Sequence, residues 1–206
     1  MLEPRPIAIL ASGSGSNLQA LLDAEAAGSL GCRTSVVITD RPGIRALERA
    51  NEAGVPTEVV DWESFRDREG FSSAICDVAD RHGADGMVLA GFMRILSPVA
   101  VERFPNRIIN VHPALLPAFP GAHAVRMALD HGVTITGVTV HFVDEQVDHG
   151  PIIAQEPVAV ADDDTESTLH ARIQAVEHEL YPRVVADFAA GRLVVDDRHV
   201  RTQEPQ

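Results

Sequence analysis

The chain has 206 residues, a formal net charge of −13 and 45% hydrophobic residues. That length and apolar content suit one α/β domain with a full core, while the acidity argues against binding a nucleic-acid backbone, which needs a basic face, or an anionic membrane surface. No stretch has the continuous apolar length of a membrane span, and residues 1–6 lack the basic region and apolar core of a signal peptide, so a cytoplasmic protein is expected.

Residues 5–11 read as a buried strand that runs into Ser12-Gly13-Ser14-Gly15-Ser16-Asn17. A helix follows, with Leu18, Leu21 and Leu22 at helical spacing and Gly28 as its stop. Strand, glycine-rich turn and helix make an anion cradle: glycine lets the backbone approach closely, and the free N–H groups and dipole of the helix start face the ligand. A dinucleotide or a monophosphate fits this turn. Gly13-x-Gly15 lacks the third small residue of a dinucleotide fingerprint, although Asp40 could bind a ribose, and Ser16 and Asn17 add donors suited to a monophosphate.

Strands are expected at 34–39, 57–60 and 85–90, and helices at 44–53 and 64–82. A short helix after Pro98 leads to Arg107-Ile108-Ile109-Asn110-Val111-His112-Pro113. Alternation of continuous apolar strands with helices calls for a Rossmann-like, mostly parallel sheet covered on both faces. After His112 the pattern changes. A proline-rich loop at 113–120 and a helix at 121–131 precede strands at 134–142 and 152–158, which read as an antiparallel pair around an acidic turn. A long helix over 165–189, capped by Asp163 or Asp164 and bent at Pro182, carries an apolar stripe from Leu169 to Phe188. From Gly191 on, a small hairpin and a disordered end are expected. Cys32 and Cys76 are too few and too far apart for a disulfide scaffold or zinc site, and read as buried or semi-buried thiols.

Residues two apart in a strand share a face, so Asn110 and His112 project together at a strand's carboxyl end, where open α/β sheets bind ligands. An amide donor beside an imidazole suits chemistry at a carbonyl carbon, one steadying an oxyanion and the other handling protons. A carboxylate to orient an imidazole is available from Asp144, Glu145 or Asp148, and the residues alone do not choose among them. Asp144, Asp148, His141 and His149 could instead hold a divalent metal, although no zinc-type spacing links them. Glu177, at the edge of the last helix's stripe, needs a partner: either an arginine such as Arg172 or Arg183, or a ligand hydroxyl.

These motifs together resemble the phosphoribosylglycinamide formyltransferase family, folate-dependent enzymes of purine synthesis. The resemblance rests on Ser12-Gly13-Ser14-Gly15-Ser16-Asn17-Leu18-Gln19-Ala20, Leu89-Ala90-Gly91-Phe92-Met93-Arg94-Ile95-Leu96-Ser97-Pro98, Asn110-Val111-His112-Pro113-Ala114-Leu115-Leu116-Pro117 and Val140-His141-Phe142-Val143 through Asp148-His149-Gly150-Pro151-Ile152-Ile153, and covers about residues 6–195. It implies formyl transfer from 10-formyltetrahydrofolate to the amine of glycinamide ribonucleotide, with no metal. By motif match, Asn110, His112 and Asp148 are the catalytic trio; Gly15, Ser16 and Asn17 bind the substrate phosphate; and Glu177 binds its ribose. Arg68, Met93, Arg94, Ile95, Leu96 and Asp144 fall on folate-binding segments. It also implies one formyltransferase domain, with a nucleotide-binding half at 1–112, a folate-binding and catalytic half at 113–195 and a tail at 196–206. A homodimer is compatible with it. Ala114 and Ala118 stand where family members often carry serine and lysine. A formyltetrahydrofolate hydrolase or a methionyl-tRNA formyltransferase would share the trio, and a non-catalytic dinucleotide-binding module would share only the glycine turn.

Overall fold

A computed structural model describes residues 4–204; residues 1–3 and 205–206, and with them part of the expected leaderless start and the end of the tail, lie outside the described residues. Five parallel strands form the first half: β1 (Arg5–Ala11), β2 (Cys32–Thr39), β3 (Thr57–Val59), β4 (Gly86–Leu89) and β5 (Ile108–His112). Then β6 (Ile135–Phe142) pairs antiparallel with β5, β7 (Ile152–Ala159) pairs antiparallel with β6, and a hairpin of β8 (Leu193–Asp196) and β9 (His199–Thr202) joins β7. One mixed sheet results, in the order β3-β2-β1-β4-β5-β6-β7-β9-β8. The strand order reverses between β1 and β4, so the loops beyond their carboxyl ends diverge and leave a crevice there.

The continuous apolar strands bury both faces. Ile7, Ile9, Val37, Val88, Ile109 and Val111 face one layer, made of α1 (Ser16–Ala26), α2 (Arg45–Glu52), α5 (Ala124–His131) and α6 (Glu166–Ala189). Ala8, Leu10, Val36, Ile38, Met87 and Ile108 face the other, made of α3 (Arg68–Arg81) and α4 (Pro98–Arg103). Tyr181, fully buried on α6, donates to the carbonyls of Leu89 at 2.9 Å or Ile109 at 3.2 Å, which ties that helix to β4 and β5.

Three helix starts differ from expectation. A 3-10 turn at Trp62–Ser64 and an extended Phe65 precede α3, which starts at Arg68 because the Asp67 side chain accepts from the Gly70 N–H at 2.8 Å. Neither Asp163 nor Asp164 caps α6. Thr165 does, in a reciprocal box with Thr168, while Asp164 pairs with Arg172. The third, α5, starts at Ala124 rather than Gly121, whose left-handed backbone (φ 92°) sends its N–H to Asp148. The last helix continues through Pro182, and Cys32 and Cys76 are buried free thiols.

Candidate active site

The β5–β6 register sets Asn110 opposite His141 and His112 opposite Thr139. By strand alternation these four side chains share the face of Ile108. There the cover of α3 and α4 ends and a cavity of about 270 Å³ opens. Asn110, His112, His141 and Asp148 all line it. Asp148 arrives from the 143–150 turn in a left-handed conformation (φ 50°). Its Oδ2 lies 3.3 Å from His112 Nδ1 and accepts from the Gly121 N–H at 2.7 Å, and its Oδ1 lies 3.6 Å from His141 Nε2. His112 Nε2 lies 2.9 Å from the Phe119 carbonyl.

Both ring nitrogens of His112 therefore face acceptors. Either neutral tautomer would point one lone pair at an oxygen; only the imidazolium satisfies both. Burial nevertheless pushes the His112 pKa below the usual histidine value, against the upward pull of Asp148 and the Phe119 carbonyl. Burial thus favours the neutral ring, while the two acceptors favour the protonated one. Burial raises the Asp148 pKa, but the His141 and Gly121 hydrogen bonds and the two imidazoles outweigh it and hold the carboxyl below its usual range. His141 Nδ1 lies 2.7 Å from the Phe142 carbonyl, and its Nε2 stands between Asn110 Nδ2 at 3.2 Å and Asp148 Oδ1 at 3.6 Å. One amide hydrogen of Asn110 is left for the cavity.

Met93, Arg94, Ile95, Leu96 and Asp144 line the same cavity, while Met93, Ile95 and Val147 expose apolar surface at its rim. Arg94 also points back, donating to buried Asp40 at 2.7 Å with its guanidinium 5.1 Å from the Trp62 ring. Asp40 is thereby engaged, which corrects its reading as a free ribose acid. The Met93 N–H donates to Ser12 Oγ at 2.9 Å, joining this loop to the glycine turn. Arg68 is exposed and does not line the cavity.

Gly15, Ser16 and Asn17 stand apart from that cavity, at the start of α1. Gly15 has φ 71°, and a Cβ there would lie 2.9 Å from Ala46 Cα, so the turn packs against α2 through glycine alone. The Ser14 carbonyl accepts from Arg49 Nε at 2.8 Å. Asn17 Nδ2 donates to Glu177 Oε2 at 2.8 Å, which corrects the arginine pairing considered for Glu177: Arg172 is taken by Asp164. Asn17 Oδ1 is buried with no partner, and burial raises the Glu177 pKa. The Asn17–Glu177 pair lies on the α1–α6 face of the sheet, the imidazole cluster on the opposite face, both toward the carboxyl edge.

Residues 5–185 match the profile of the formyl transferase family. The chain belongs to that family. It is 47% identical over 195 residues to the phosphoribosylglycinamide formyltransferase of Mycobacterium tuberculosis, covering 95% of this chain and 90% of the relative. It superimposes on glycinamide ribonucleotide transformylase 1 from Symbiobacterium toebii with a TM-score of 0.95 at 46% identity, over 98% of this chain and 95% of that one. It is also 43% identical over 185 residues to the bovine trifunctional purine biosynthetic protein adenosine-3, where it spans 18% of the relative's length.

Within this formyl transferase fold, His141 was reachable from sequence only as a polar residue on an alternating strand. The Phe119 carbonyl and Gly121 N–H were not reachable, because backbone groups carry no residue signature. The four side chains considered for a metal do not come together: His149 pairs with Asp144 at 2.7 Å, away from the His141–Asp148 contact, and among the described residues no three His, Cys, Asp or Glu side chains are placed to hold an ion. Ala114 is buried, and its carbonyl accepts from Thr139 Oγ1 at 2.7 Å; Ala118 is exposed. Among the described residues no helix is long and apolar enough to cross a membrane.

Proposed function

We propose that this chain transfers a formyl group from 10-formyltetrahydrofolate to the primary amine of glycinamide ribonucleotide, in purine biosynthesis. The observation that carries the reading is His112 held between the Asp148 carboxylate and the Phe119 carbonyl, with the Asn110 amide, in the lining of the cavity. The cavity is near the lower end of ligand pockets, which run to roughly 300–1,000 Å³, so it suits one ring system with the rest of a long folate lying outside. Its apolar rim at Met93, Ile95 and Val147 fits a flat heterocycle.

The nucleotide's amine adds to the formyl carbon, and negative charge collects on the formyl oxygen. The free Asn110 N–H and a protonated His112 stabilise that charge, worth roughly 3–4 kcal/mol per donor in a water-poor site. Asp148 keeps the imidazolium oriented and helps pass the amine proton toward the departing folate nitrogen. The carbon–nitrogen bond to folate then breaks, and that nitrogen keeps the proton. No covalent enzyme intermediate is required. Gly15, Ser16 and Asn17 hold the phosphate and Glu177 the ribose. Arg68, outside the cavity, meets the distal part of the folate.

A formyl-transfer assay with glycinamide ribonucleotide, using water as the control acceptor, tests this. Formyl release at the same rate with and without the nucleotide would make the chain a hydrolase and overturn the proposal.

A further inference from the structure

The turn that carries Asp148 has an outer side that the chemistry above does not use. Residues 144–149 close on themselves: Asp144 Oδ1 accepts from the Gln146 N–H at 2.9 Å, and Asp144 Oδ2 from His149 Nδ1 at 2.7 Å. At the far end, a Cβ on Gly150 would fall 1.9 Å from the Phe142 carbonyl, so the chain there is fixed against β6. Between these points Asp148 sits at φ 50°, a conformation that costs a non-glycine residue roughly 1–2 kcal/mol and persists only when surrounding contacts hold it. The inner contacts are those of its own carboxylate. An outer contact comes from the β8–β9 hairpin, beyond the residues matched to the family. Its tip residue Arg198 donates through Nη2 to the His149 carbonyl at 2.7 Å, while its Nη1 lies 3.5 Å from His149 Nε2. The next residue, His199, pairs with Ile152 of β7, so the hairpin is docked where it can hold this grip.

The geometry points to Arg198 as a positioning residue for the reaction, acting from outside the cavity through His149. A guanidinium opposite His149 Nε2 favours the lone pair on that nitrogen and hence the proton on Nδ1, where it bonds Asp144. The same guanidinium fixes the carbonyl next to Asp148. Arg198 thus steadies both the Asp144 side of the cavity and the Asp148 carboxylate. This rests on the proposed role of the turn in formyl transfer.

The test compares wild type, Arg198→Ala and Arg198→Lys by steady-state kinetics with each substrate varied, and by amide hydrogen exchange. The contact is exposed, so Arg198→Ala is expected to raise the folate KM and lower kcat by about three- to fivefold, leaving the nucleotide KM unchanged. The amides of 144–149 should exchange faster and those of the sheet core should not. Arg198→Lys keeps a donor and should recover most of both effects. Unchanged kinetics or unchanged loop exchange in Arg198→Ala overturns the inference, as does an increase in exchange spread over the whole fold. If the wild type transferred no formyl group, the functional reading would fail, while the exchange measurement would still decide whether Arg198 holds the turn.

Discussion

Asn17 Nδ2 and Glu177 Oε2 meet at 2.8 Å across 160 positions of sequence, joining the first turn of α1 to the middle of α6. The contact leaves Asn17 Oδ1 buried without a partner and Glu177 with a pKa raised by burial. A pair so placed is a ready acceptor set for ligand hydroxyl and amide donors. Asn17→Ala should therefore weaken nucleotide binding more than folate binding, by roughly tenfold for a lost hydrogen bond of about 1.4 kcal/mol. Separate titrations of the two ligands measure it, and equal losses would count against a role for this side chain in holding the nucleotide.

The same pair has a pH signature. A carboxyl whose folded pKa is raised favours folding while protonated, and that stability is lost as pH rises through the folded value. Glu177→Gln keeps an acceptor for Asn17 without the charge. Its midpoint in denaturant should exceed that of wild type at pH 8, and the difference should vanish below the ordinary carboxyl value of 4.5. A difference independent of pH would contradict the buried-carboxylate account.

His112 and Asp148 have the opposite sign. Both folded pKa values lie below the ordinary ones, so their stability is complete above the unfolded values and is lost as pH falls through the folded values. For His112 the loss begins below about 6.5. Denaturant midpoints between pH 7.5 and pH 5 should fall less steeply in His112→Asn than in wild type. Parallel slopes would show that the ring does not titrate as described.

His112→Ala should keep its circular dichroism spectrum while kcat falls by about 10²–10⁴-fold, the range for a lost proton-transfer group. Near-wild-type turnover would sink the assignment.

Asp40→Asn should act on the folate side alone. Asp40 is buried and holds Arg94 against Trp62, and Arg94 belongs to the cavity loop. Exchanging the charge-assisted bond for a neutral one should cost about 1–2 kcal/mol of stability and raise the folate KM with the nucleotide KM unchanged. A rise in both constants would mean that the loop serves the whole crevice.

The elements that the sequence determined are those with short-range causes. Continuous apolar runs alternating with helical stripes specify a parallel sheet buried on both faces, and Asn110 and His112 share a face because strand geometry has a period of two. Helix starts were less legible, since Asp67, Thr165 and Gly121 compete through side-chain and backbone bonds that several nearby residues could have made. Only the tertiary structure decided the partners. Among three acids of one turn, Asp148 reaches His112 because a left-handed backbone and the Gly121 N–H aim it there. Glu177 meets Asn17 rather than an arginine, and His141 joins Asn110 through the β5–β6 register. These contacts join residues far apart in the chain, and they depend on angles and registers that emerge only when the sheet is assembled.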